Sequence, residues 1–155
     1  MPTIRKPTAK PRRGSTALSA SAKQVVEVAA GLVFRNGRLL ITQRRLNDHL
    51  GGFWEFPGGK REQGESFKAC LERELAEELG INVRVGRLLA SVTHQYPEKK
   101  VHLKFFKCAW SRHEPRAIGC DAFAWVEMED LTAYPFPPAD SQLIQRLQKS
   151  PRFWR

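Results

Sequence analysis

Acidic residues are missing from the first 26 positions, which carry Arg5, Lys6, Lys10, Arg12, Arg13 and Lys23. Cysteine is scarce too. Cys70, Cys108 and Cys120 form an odd set with no CxxC pair and no metal-ligand spacing. That excludes a disulfide framework and a zinc finger, and leaves buried free thiols in a reducing compartment, most simply the cytoplasm. No apolar run reaches bilayer length and no secretory pattern opens the chain, so no membrane partner is expected. His49, His94, His102 and His113 stand at no metal spacing and read as exposed or strand residues. Internal repeats are absent.

What is present begins with charge. The formal net charge of +10 falls to +4 once the six N-terminal cations are set aside. Residues 1–23, rich in Pro, Ser, Thr and Ala, are expected to form a basic, disordered tail. A solubilising extension is the plainest reading. A weak nonspecific nucleic-acid contact, an organelle-targeting peptide and a start-site artefact are alternatives, although early prolines oppose the amphipathic helix of a transit peptide. Residues 24–150 read as one domain, large enough to bury a core without staples, and 151–155 as a C-terminal tail. A monomer is expected.

Val25 to Phe34 is a β-rich run, and Asn36-Gly37 is a two-residue hairpin signal leading into Arg38 to Thr42. A polar loop, Arg44 to Gly52, precedes Trp54-Glu55-Phe56, and Pro57-Gly58-Gly59 reads as a break in regular structure. Ser66 is the expected N-cap of a helix reaching about Leu79, with Leu71, Leu75 and Leu79 as its apolar stripe and Gly80 as its stop. Strands are expected at Val83 to Thr93, Val101 to Trp110 and Ala122 to Glu127. A last helix follows, capped by Asp140 or Ser141, with Leu143, Ile144 and Leu147 inward. The order implies a mixed sheet packed between helices.

Glu74, Glu77 and Glu78 sit at i, i+3 and i+4 and share one helix face. Like charges so spaced repel by a few tenths of a kcal/mol per pair. A hard divalent cation resolves the conflict, since Mg²⁺ takes carboxylate oxygens and keeps open positions for water and phosphate. A solvated acidic face is the bland alternative. Around this trio, Gly59, Glu65, Arg73, Glu74, Leu75, Glu77, Glu78, Gly80 and Ile81 match all nine fixed positions of the Nudix box, G-x5-E-x7-R-E-U-x-E-E-x-G-U with U apolar. The preceding Trp54-Glu55-Phe56-Pro57-Gly58-Gly59-Lys60 resembles the MutT branch of that superfamily, and the similarity runs from about Val25 to Leu147.

The resemblance implies the Nudix α/β/α sandwich and Mg²⁺, with Mn²⁺ as a substitute, held by Glu74, Glu77, Glu78 and the backbone carbonyl of Gly58. It makes Glu74 the candidate base, with a loop residue as the alternative. The branch supplies a further loop glutamate before a tryptophan-containing strand. Here Asp121 is the only acid in the matching stretch, so it stands as the candidate fourth ligand. Glu65 and Arg73 are implied to be scaffold, an ordinary surface ion pair being the alternative. Arg44 matches an arginine that contacts substrate phosphate, and Lys60 is a second candidate; loop cations are otherwise simply solvated.

Trp54, Phe56 and Tyr96 are candidate walls for a stacked base, with core packing the alternative for Phe56. Asp140 matches the position of an asparagine that reads oxidised guanine in bacterial sanitising enzymes. An ionised aspartate only accepts hydrogen bonds. It can take them from the N1–H and amine of a guanine or from the amine of a cytosine, or it can be a plain N-cap. The implied function is Mg²⁺-dependent hydrolysis of 8-oxo-dGTP to 8-oxo-dGMP and pyrophosphate, which protects DNA. A CTP- or dCTP-type pyrophosphohydrolase is the same-class alternative. A non-catalytic lesion-recognition module, like the C-terminal domain of adenine glycosylases, is the other; the intact glutamates oppose it.

Overall fold

The computed structural model describes residues 24–155, so the expected tail over 1–23 lies outside the described residues. Strand β1 (Gln24–Arg35) turns through Asn36 and Gly37, at φ 51° and 73°, into β2 (Arg38–Gln43). Positive φ at both turn positions is the geometry that an Asn-Gly pair favours. Two short strands follow, β3 (Trp54–Glu55) and β4 (Gly58–Lys60). The second departs from the sequence expectation of a break. Gly58 faces Ala30 and Lys60 faces Val28 across an antiparallel pairing with β1. Gly58 allows that approach because a Cβ there would fall on the carbonyl of Ala29.

Helix α1 (Phe67–Leu79) begins where the sequence places it: the Ser66 hydroxyl accepts from the Ala69 N–H at 3.0 Å. It ends at Gly80, φ 67°, whose N–H donates to the Ala76 carbonyl. Leu71, Leu75 and Leu79 are fully buried along one stripe, and each contributes about 1.5–3 kcal/mol by leaving water. The chain then forms a long hairpin of β5 (Asn82–Gln95) and β6 (Lys99–Arg112), followed by β7 (Ala122–Val126).

The sheet is mixed, in the order β3-β2-β1-β6-β5, with β4 added to β1 and β7 to β2. β6 lies parallel to β1 from Gln24 opposite Lys99 to Phe34 opposite Ala109. Ala29, Val33, Leu40, Phe106 and Cys108 face α1 on one side. Leu32, Phe34, Leu39, Ile41 and Phe105 face the other, where α2 (Ser141–Gln148) lays down Leu143, Ile144 and Leu147. This is the expected sheet between helices.

The last residues correct the expectation of a C-terminal tail over 151–155. Pro151–Trp154 form a 3-10 turn, and Trp154 is only 5% exposed. Its ring meets Phe34 edge-on at 5.4 Å, and its indole N–H donates to the Leu147 carbonyl at 3.0 Å. A tryptophan that fills a gap between β1 and α2 and satisfies its N–H belongs to the core.

Candidate active site

The box glutamates are organised around one guanidinium. Arg73 donates to both Glu65 oxygens at 3.1 and 2.7 Å, to Glu74 at 2.9 Å, to Glu77 at 3.3 Å and to the Lys60 carbonyl at 3.1 Å. Arg73 is therefore more than an i,i+4 surface partner, because it ties α1 to the loop that enters it. Glu65 also accepts from the Glu62 N–H, and the Arg73 fork holds its carboxyl down at about 2. On the other flank, Arg61 grips the Glu27 carboxylate and donates to the Glu65 carbonyl. These contacts fix the turn between β4 and α1.

Glu74 lies under β4. A Cβ on Gly59 would land on its carboxyl group, so only glycine lets that acid tuck against the strand. One turn on, Glu78 faces a cleft of about 430 Å³ that Gly58 also lines. Burial, then the nearby charges of Glu55 and Glu74, pushes Glu78 up to about 8. Burial first also raises Glu74 and Glu55, the latter opposed by Arg44 at 2.8 Å. Asp140, on the far wall, is raised to about 6 by burial and by Glu55. Glu74 and Glu55 are each offset by an arginine, whereas Glu78 and Asp140 have no cation in contact and are costly to ionise.

That donor set suits a hard dication, because every candidate ligand is an oxygen and the acids destabilise one another without positive charge. The trio is not gathered in advance, however. Glu77 is turned outward to Arg73 with its side chain 60% exposed. Among the described residues no three His, Cys, Asp or Glu side chains converge at metal-binding distance. Arg73 explains this, since its positive charge already satisfies Glu74 and Glu77.

The cleft brings together Arg44, Phe56, Gly58, Gly59, Lys60, Tyr96 and Asp140 with Glu78. Three expectations change in detail. Asp121 stays exposed, its N–H spent on the Gln43 carbonyl, while its neighbours Gly119 and Cys120 line the cleft. Trp54 does not line the cleft; it packs edge-on against Tyr134 at 4.9 Å. Asp140 makes no side-chain cap to α2, so the plain N-cap reading fails, and Phe56 is both cleft wall and core, only 4% exposed. Arg44 is held by Glu55 and by the His49 carbonyl at 2.6 Å.

Sequence reasoning missed Glu55. The signal was present: an acid flanked by Trp54 and Phe56 in an otherwise apolar strand needs a polar task. His49 was set aside as exposed, yet it lines the mouth and meets Tyr96 at 6.1 Å.

Comparison with known proteins agrees with this architecture. The profile described as a NUDIX domain matches residues 29–146. The 8-oxo-dGTP diphosphatase of Haemophilus influenzae is 38% identical over 128 residues, covering 81% of this chain and 93% of that protein. The CTP pyrophosphohydrolase of Escherichia coli is 37% identical over 128 residues, covering 79% and 90%. The crystal structure of a MutT protein from Methanosarcina mazei superposes with a TM-score of 0.74 at 25% identity, covering 83% and 96%.

Proposed function

The chain belongs to the NUDIX family of phosphoanhydride hydrolases, and from that premise we propose that it converts 8-oxo-dGTP to 8-oxo-dGMP and pyrophosphate with Mg²⁺. The observation that carries this reading is Asp140: a half-buried carboxyl with no capping duty, in the same cleft as Glu78. Ionised, it accepts hydrogen bonds only, and a guanine edge offers two adjacent donors, N1–H and the exocyclic amine. The diphosphatase relative supports the oxidised guanine.

Glu74, Glu77, Glu78 and the Gly58 carbonyl are the groups that would hold the metal, with Mn²⁺ able to replace Mg²⁺. When bound, the ion neutralises the polyphosphate and lowers the pKa of water. Glu74, half-buried against β4, would take the proton of the water that attacks the β-phosphorus. Arg44 and Lys60 meet the phosphates as they leave bulk solvent, and Glu55 keeps the Arg44 fork aimed into the cleft. Arg73 and Glu65 keep the helix entrance rigid. Phe56 and Tyr96 flank the base. Asp121 has no role in this reading.

The CTP pyrophosphohydrolase relative favours a second reading, in which Asp140 accepts from the amine of cytosine. Guanine presents two donors to that carboxylate and cytosine one, which places guanine first. A turnover panel of 8-oxo-dGTP, dGTP, dCTP and CTP with Mg²⁺ separates them. Preference for 8-oxo-dGTP, with monophosphate and pyrophosphate as products, is the expected result. A preference for dCTP or CTP selects the second reading, and no turnover of any triphosphate ends both.

A further inference from the structure

A basic surface lies away from the cleft, and nothing in the proposed reaction uses it. Two grooves meet at the far end of the sheet. One, of about 570 Å³, includes Arg84, Arg87 and Lys107; the other, of about 450 Å³, includes Arg87, Arg146, Lys149 and Arg152. Arg87 belongs to both, so these six cations border one continuous trough, whose first groove is also lined by Arg155 and by Arg35, the latter paired with Glu114 at 2.9 Å. Neither groove shares a lining residue with the catalytic cleft. β1 shows the separation: Val26, Val28 and Ala30 line the cleft, whereas Phe34 and Arg35 line the trough.

The fold builds this trough rather than leaving it to chance. β5 slips register against β6 between Val85 and Leu88 and again between Leu88 and Ala90. Such bulges re-aim side chains, and here the irregular stretch carries the exposed Arg87. From the other wall, Arg146, Lys149 and Arg152 project from the end of α2 and the turn after it, all exposed. Arg87 and Arg146 both lie over the ring of Phe153, at 5.6 and 5.5 Å, so one aromatic ring anchors two guanidiniums. Neither groove is lined by an Asp or Glu side chain, and among the described residues none of the six cations forms a salt bridge. Cations at a helix C-terminus are favourable by themselves, but that accounts for Arg146 and Lys149 and not for Arg84, Arg87 or Lys107.

We propose that this trough is a docking surface for the phosphate backbone of a single-stranded nucleic acid. Four of the six cations are arginines, whose planar forks suit phosphodiester oxygens. Trp154 is buried and Phe153 is covered by arginines, so no exposed aromatic is offered for insertion into a membrane. Contacts of this kind are sequence-independent and depend on salt.

The test is fluorescence anisotropy of a labelled single-stranded oligonucleotide with the full-length protein, from 50 to 200 mM salt. The variant is Arg87→Ala/Lys149→Ala/Arg152→Ala, with the three Lys- or Arg-retaining swaps (R87K, K149R, R152K) as its charge-preserving control. Each lost phosphate contact removes about 0.7 from the log–log salt slope for a single strand, so the slope should fall by about 2. At 50 mM salt, affinity should drop at least tenfold, while the control binds as wild type and triphosphate turnover is unchanged in both. Absence of binding by the wild type at 50 mM overturns the proposal. So does binding whose slope the alanine variant leaves intact, because the N-terminal cations would then hold the strand. Anionic vesicles that bind more tightly than the oligonucleotide, with the same dependence on the three residues, would overturn it in favour of a lipid surface.

Discussion

Replacing Asp140 by Asn tests the reading of the cleft at its least ordinary residue. Burial and the charge of Glu55 hold this carboxyl at about 6, against 3.8 for a free aspartate. At 1.36 kcal/mol per pKa unit, ionised Asp140 costs the folded protein up to about 3 kcal/mol, which partial exposure reduces to roughly 1–2. The sign follows from linkage. A carboxyl raised by folding binds its proton more tightly in the folded state, so its contribution is favourable below about pH 4 and is lost as pH rises through 6. Asn carries no charge at any pH. Asp140→Asn should therefore be the more stable protein at pH 7.5, by about 2–6 °C in melting temperature. The gap should close as the pH falls toward 4. Paired thermal melts of wild type and variant in metal-free buffer, stepped from pH 4.5 to 8, read the difference directly. Turnover supplies the second arm. If Asp140 reads the base, the ratio of kcat/KM for 8-oxo-dGTP over dCTP should change at least tenfold, about 1.4 kcal/mol, while the maximal rate on a generic triphosphate hardly moves. A variant that is no more stable at pH 7.5 refutes the electrostatics. Equal losses on every substrate refute the recognition role.

Glu77→Gln with Glu78→Gln should lower turnover by a factor of 100 or more while the melting curve is kept, and near-wild-type rates would contradict the metal assignment. Gly59→Ala drives a methyl group into the Glu74 carboxyl, a flexible side chain that can move aside. Its turnover should fall far more than its melting temperature, and calorimetry beside a rate assay decides it. Trp154→Ala should cost about 3–5 kcal/mol in urea unfolding, because it opens a cavity against Phe34; a loss under 1 kcal/mol would return residues 151–155 to the status of a tail.

The elements that local chemistry specifies were legible in the chain. Asn36-Gly37 sets a turn by its tolerance of positive φ, Ser66 and Gly80 bracket α1, and the leucine stripe between them allows one orientation of that helix. β4 was not legible. Two glycines read locally as a break, and only the proximity of Ala29 and Ala30, distant in sequence, turns them into a strand. Trp154 hid for a similar reason: four residues at a chain end have no periodicity, and their partner Phe34 lies 120 positions away.

The site was legible as a list of residues and illegible as a circuit. Spacing alone put Glu74, Glu77 and Glu78 on one face, and did not show that Arg73 draws Glu77 outward while Glu78 turns into the cleft. Glu55 is the part that connects the rest. It holds Arg44 at 2.8 Å, and its charge raises both Glu78 and Asp140. One half-buried acid thus couples the phosphate end of the cleft to the base end. Neutralising it should ease ionisation at both ends at once, and release Arg44 from its anchor. No motif announces such a residue, because its role depends on which strands bring the Glu78 and Asp140 walls together, and the tertiary fold alone decides that.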